Sequence, residues 1–250
     1  FMSWFNFWQW VSKFEAQPVK ENTMEEAGKI VGSLAEKPIE IPKLPETLPT
    51  LTVTEKKFVE LTQVVIDNFE GGYYHPDMKK RFKPSDQSKF GDSGETLFGL
   101  DRKHGSQLKM YAEWKQFWDL VDAEKFHDTN VWNKYNYKPT GIIGQRLKEL
   151  ASKIMYKWFS YLAGKYILIS SMDEIANDDR LILHFSYASW NGQSWFERYA
   201  KALNLAIQNH EGDKQLIFSE AIKARTESSN KVIRQQGANM MALFKRMKLI

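Results

Sequence analysis

From Phe58 to Met247, apolar residues return every three or four positions in one segment after another, and that repeat restricts the chain to a mainly helical fold. The first segment opens at Thr52, whose spacing to Glu55 suits a capping box. Phe58, Leu61, Val65 and Phe69 mark one face, and Gly71-Gly72 stop it directly after Glu70. Further helices are predicted near Leu108–Val121, Ile142–Leu162, Leu181–Trp190, Leu216–Arg225 and Val232–Met247. One more begins at Ser194, whose spacing to Glu197 again fits a capping box, after a turn at Asn191-Gly192. Only Phe90–Leu100, with glycines at 91, 94 and 99, reads as irregular or strand-like. The predicted class is mainly α with a small β element.

A second feature divides the chain. Residues 38–51 contain PIEIPKLPETLP, with four of the eight prolines. Proline removes amide donors and drives the preceding residue into extended backbone, so this stretch predicts a stiff linker. It separates residues 1–37 from a main body at 52–250. Ser3–Phe14 (SWFNFWQWVSKF) presents Trp4, Phe5, Phe7, Trp8, Trp10 and Val11 on one broad face. It lacks the basic start and unbroken apolar core of a signal peptide. Its tryptophans suit a membrane interface or a partner such as a virion, and packing on the chain's own body is equally compatible with the pattern. No run of eighteen apolar residues is present. Cysteine is absent, which removes disulfide scaffolds and thiolate metal sites. A net charge of +4 suits an anionic polymer partner. Without an arginine-rich arm or a basic run interleaved with aromatics, no nucleic acid partner is expected.

Chemistry concentrates between Phe69 and Leu100. Glu70 ends its helix, where unpaired carbonyls create partial negative charge, and Phe69, Tyr73 and Tyr74 make its neighbourhood apolar. Both effects disfavour the carboxylate, which is what a general acid at neutral pH requires. Glycosidic oxygens leave poorly until protonated, so such a carboxyl beside a sugar cleft suits glycoside cleavage. After a lysine-rich loop, Asp92-Ser93-Gly94-Glu95-Thr96 puts carboxylates and a hydroxyl on a glycine-rich turn able to face that acid. Asp92, Glu95 or Thr96 could hold an attacking water or stabilise developing positive charge. Tyr73, Tyr74, Trp190 and Asn191 are candidates for lining the cleft and binding sugar rings. His75, Asp77 and Asp86 lack the spacing of a calcium loop or a zinc helix, and no G-x-S-x-G nucleophile motif occurs, so neither metal nor cofactor is expected.

The Glu70-Gly71-Gly72-Tyr73 motif with DSGETLFGL behind it resembles the phage-type lysozyme superfamily, and most closely the muramidases of glycoside hydrolase family 108. Members read roughly E-G-G-Y and then D-x-G-G-x-T-x-x-G-I. This chain offers Glu70 for the first motif and Gly94, Thr96 and Gly99 for the second, with Ser93 and Leu100 where glycine and isoleucine are usual. The segment HFSYASWNG, His184–Gly192, is similar to the family's cleft-forming helix F-D-F-A-V-N-S-G. The resemblance covers Thr52 to the end. It implies a lysozyme-like helical domain with its β element at the cleft, Glu70 as acid catalyst, and hydrolysis of the β-1,4 bond between N-acetylmuramic acid and N-acetylglucosamine in bacterial peptidoglycan. A phage virion or the host cell envelope or periplasm is the implied setting. Lytic transglycosylation, or an inactive virion or wall-binding protein on the same scaffold, are the rival expectations.

Overall fold

The computed structural model describes residues 55–75, 77, 94–103, 105, 107–126 and 137–250. The aromatic segment at 1–37, the proline linker, Thr52, the lysine-rich loop and Asp92 lie outside them. The described residues form a mainly α fold with one small antiparallel hairpin, arranged as α1 (Glu55–Phe69), β1 (Thr96–Leu97), β2 (Leu100–Asp101), α2 (Ala112–Ala123), α3 (Gly141–Tyr166), α4 (Ile169–Ala176), α5 (Asp179–Trp190), α6 (Gln193–Asn209), α7 (Lys214–Thr226) and α8 (Lys231–Arg246).

The centre of the fold is α5. Every residue from Leu181 to Trp190 is buried, so this helix is enclosed on all sides rather than striped. Two of its serines are accommodated locally: Ser186 shares a 2.7 Å hydrogen bond with Thr62 on α1, and Ser189 donates to its own helix at Phe185 O. Helices α1, α3, α4, α6 and α7 pack around α5, while α2 lies on α3 and α8 closes over α7. The long helix α3, roughly 39 Å at the usual rise per residue, ties α1, α2, α5 and α6 together. Phe159 on α3 stacks on Phe58 of α1, with ring centroids 4.8 Å apart, and also packs edge-on against Phe196 of α6. No described helix is long and apolar enough to cross a membrane.

Several boundaries depart from the periodicity. The predicted Leu108–Val121 helix is broken at Tyr111, whose extended backbone separates a 3-10 turn at Leu108–Met110 from α2. The short helix α4 is absent from the periodic reading because it buries only Ser171, Met172 and Ile175 and leaves Ile169 exposed. At α6 the N-cap is Gly192, with φ +86°, which places Ser194 inside the first turn. The Ser194–Glu197 capping box therefore does not form, and Glu197 pairs with Lys201 at 2.7 Å instead. Glycine wins this position because an L side chain pays for that backbone conformation.

Candidate active site

Glu70 follows the last residue of α1, and its amide still closes a helical turn to Ile66 O at 3.3 Å. Beyond it the chain is held on both sides. Tyr73 N donates to Tyr137 O at 2.6 Å, and Tyr74 exchanges two 2.9 Å backbone bonds with Thr96. Gly71 O accepts from Phe98 N at 2.9 Å, which brings the hairpin tip back onto the residue next to Glu70. Phe98 and Gly99 have φ of +51° and +73°. Both central residues of this two-residue loop are thus left-handed, the geometry that matches the natural twist of a hairpin. For Phe98 the conformation is strained, and its complete burial together with two backbone bonds holds it there.

The tip closes on the acid. Trp190 Nε1 donates to Phe98 O at 3.0 Å. A Cβ built on Gly99 would stand 2.2 Å from Glu70 Oε2 and 2.7 Å from Trp190 Cδ1, so only glycine permits this approach. Glu70 is 3% exposed, and neither carboxyl oxygen has a hydrogen-bond partner among the described residues. Burial therefore pushes the Glu70 carboxyl well above the ordinary carboxylate range, and the Lys138 charge pulls it back only in part. An ionised carboxylate in that position would cost several kcal/mol, roughly the penalty of any unpaired buried ion. Burial thus favours the neutral acid, the form that carries a proton to donate.

Lys138 was not among the residues singled out from the sequence. Its ammonium donates to Ile66 O at 3.0 Å, as a second donor beside the Glu70 amide, and to Asp67 O at 3.1 Å at the end of α1. It thereby offsets part of the helix-end charge expected to act on Glu70. Burial lowers the Lys138 pKa, while Asp67 and Glu70 raise it.

The other candidates fall into two groups. Tyr73, Tyr74, Trp190 and Asn191 are all buried. Trp190 packs against the Gly99 tip, and Asn191 is the C-cap of α5, its Oδ1 accepting from Arg225 at 3.0 Å. Tyr73 turns its hydroxyl to Glu95 Oε1 at 2.7 Å, and Glu95 Oε2 accepts from Arg102 at 2.8 Å. Arg102 also grips Asp122 with two bonds of 2.7 and 2.6 Å and lies over the Trp118 ring. Burial and the Glu95 partner raise the Tyr73 pKa, and the bonds to Asp122 and Glu95 raise that of Arg102. Both Glu95 oxygens are thus engaged in tying the hairpin to Tyr73 and α2. Thr96, the next residue, is half-buried on β1 with its backbone bonded to Tyr74. Asp92 lies outside the described residues.

The network makes a direct prediction. Glu95→Gln exchanges charge-assisted bonds for neutral ones and leaves one partner poorly matched. It is expected to lower unfolding stability by about 1–3 kcal/mol, read from the midpoint of urea denaturation. A midpoint equal to that of the wild type would mean that the Tyr73–Glu95–Arg102 chain carries no net stability.

The chain matches no protein-family model, no curated protein and no solved structure. Among the described residues no group of three or more histidines and carboxylates is placed to hold a metal ion. His75 and Asp77 do approach each other, at 3.6 Å. The lysine-rich loop of Lys79, Lys80, Arg81, Lys83 and Lys89 lies outside the described residues. What the described geometry offers chemically is one proton-bearing acid, enclosed in apolar surroundings beneath a glycine hairpin.

Proposed function

We propose that the chain is a peptidoglycan hydrolase, an N-acetylmuramidase of the lysozyme-like class that its EGGY and DSGETLFGL motifs resemble, acting in phage lysis or from the virion. The observation that carries this reading is Glu70: a buried carboxyl without a hydrogen-bond partner, at the end of a helix, met at 2.2 Å by the space a Gly99 Cβ would fill. An unpaired buried acid costs stability, and strongly perturbed carboxyls of this kind cluster at functional sites. For a general acid the same surroundings are functional, because burial favours the protonated form. Glu70 then protonates the oxygen linking N-acetylmuramic acid to N-acetylglucosamine. Both carboxyl oxygens are closed to solvent, so substrate contact requires part of the cover over the acid to move aside.

The second group is Thr96 on this reading. Glu95 has its two oxygens committed to Tyr73 and Arg102, whereas the Thr96 side chain is only half-buried and sits on the same hairpin as the Gly99 tip. A hydroxyl there holds water for attack on the sugar carbon. Tyr73, Tyr74, Trp190 and Asn191 shape the wall behind the acid. A lytic transglycosylase differs only in letting the muramic 6-hydroxyl replace the water.

Digestion of purified cell walls followed by mass spectrometry tests the proposal. Products with reducible muramic ends are expected, and ends lighter by one water would convert the assignment to transglycosylation. Thr96→Val is expected to slow cleavage by about 10- to 100-fold while wall binding, measured by co-sedimentation, stays unchanged. Absence of any released glycan from the wild-type chain would leave the wall-binding or virion scaffold as the reading.

A further inference from the structure

Arg225, on α7, is the largest fully buried side chain of the described residues. Among the described residues no carboxylate pairs with it, and its Nε and Nη2 have no hydrogen-bond partner. The charge is compensated sparsely. Its Nη1 donates to Asn191 Oδ1 at 3.0 Å and to Gln236 at 3.4 Å. Its Cζ lies 4.8 Å from the Tyr187 ring centroid and 4.4 Å from that of Tyr199. Nearby His184 is fully buried, neither ring nitrogen has a partner among the described residues, and burial together with the Arg225 charge pushes its pKa well down. His184 is therefore neutral and supplies no anion. An apolar side chain would fill this position at lower cost than a guanidinium so thinly paired.

What the guanidinium touches gives it a use. Tyr187 stacks on Phe69, the residue before Glu70, with centroids 4.7 Å apart and planes 18° from parallel. Asn191 adjoins Trp190, whose indole holds the Phe98 carbonyl at the hairpin tip and packs on Gly99 against the acid. One rigid planar group thus grips the two supports of the acid, the ring behind Phe69 and the cap beside Trp190. We infer that Arg225 is a positioning residue that fixes Glu70 and the Gly99 tip in register through Tyr187 and Asn191. The inference rests on Glu70 being the acid of the proposed reaction. Lysine cannot replace it, since a point charge on a flexible stem does not span a ring face and an amide oxygen together.

The test reads Glu70 itself. In chain labelled with 13C at glutamate carboxyls, the Glu70 signal is the one lost in Glu70→Gln, and its titration needs no substrate. Arg225→Lys and Asn191→Ala each loosen the enclosure and admit water, so the Glu70 midpoint is expected to move down in both. Leu243→Ala, in the core of α8, provides a destabilised control expected to leave that midpoint in place. On cell walls, kcat is expected to fall by about 10- to 100-fold in Arg225→Lys, with little change in KM. The alkaline limb of the pH–rate profile is expected to follow the Glu70 midpoint downward. An unshifted midpoint in Asn191→Ala, or an equal shift in Leu243→Ala, would overturn the positioning role and leave Arg225 as packing alone. If Arg225→Lys does not fold, Asn191→Ala decides by itself. A shifted midpoint in a chain that cuts no wall would uphold the positioning and overturn the reaction assigned to Glu70.

Discussion

Glu70→Gln is expected to lower the rate of wall cleavage by at least about a hundredfold without loss of the fold. The amide matches the carboxyl in shape, so the packing of Gly99 and Trp190 against it survives. What disappears is the ionisable proton. The same variant yields an independent thermodynamic result. In the unfolded chain the carboxyl ionises near its ordinary value of 4.5, whereas burial raises the folded-state value well above that. Between the two, the folded protein keeps a proton that the unfolded chain has released. Wild-type stability attributable to this group is therefore full below the unfolded value and falls as pH rises towards the folded one, by about 1.4 kcal/mol per pH unit. Glutamine has no such slope. The melting temperature of Glu70→Gln minus that of the wild type should therefore widen as pH rises above the ordinary carboxylate value of 4.5. A constant difference would show that Glu70 is not held protonated, and near-wild-type cleavage by the variant would remove it as the acid.

Gly99→Ala is expected to have the second-largest effect, and from a single methyl group. Two costs combine at this position. The backbone stands at φ +73°, where an L side chain is disfavoured, and the new Cβ would sit 2.2 Å from Glu70 Oε2 and 2.7 Å from Trp190 Cδ1. The hairpin tip must shift away from the acid, giving a loss of about 1–3 kcal/mol in stability and on the order of 100-fold in cleavage. Gly212→Ala separates the two costs, since Gly212 has φ +81° but nothing within 4 Å of its added Cβ. That variant should lose about 1 kcal/mol and cleave at the wild-type rate. Equal losses of cleavage in both variants would mean that the approach of Gly99 to Glu70 has no part in the reaction.

Helical class was legible in the chain because burial on one side of a helix writes a period into the sequence. Phe58 and Val65 are read and found buried in α1 for that reason. The stop after Phe69 was legible from Gly71-Gly72, and so was the irregular glycine-bearing stretch that contains the hairpin. Helix ends were less so. Asp178, Asp213 and Asn230 accept bonds from the first amides of α5, α7 and α8, yet Asp178 and Asn230 stand beside other residues equally able to cap, Asn177 and Asp179 for the one and Ser228 and Ser229 for the other. Only the backbone angle of Gly192 excluded the Ser194 box. Glu70 could be nominated from its helix-end position and aromatic neighbours, because those are local.

Its loss of every hydrogen-bond partner could not be read from sequence, nor could Lys138 at the Ile66 carbonyl or Arg225 behind Tyr187 and Asn191. These residues lie far from Glu70 along the chain, and neither has a local pattern that distinguishes it from a surface cation. A sequence determines periodicity, breaks and caps through interactions spanning a few residues. The charge state of Glu70 depends on which distant side chains exclude water from it, and that is decided only when α1, the hairpin, α5 and α7 are packed together.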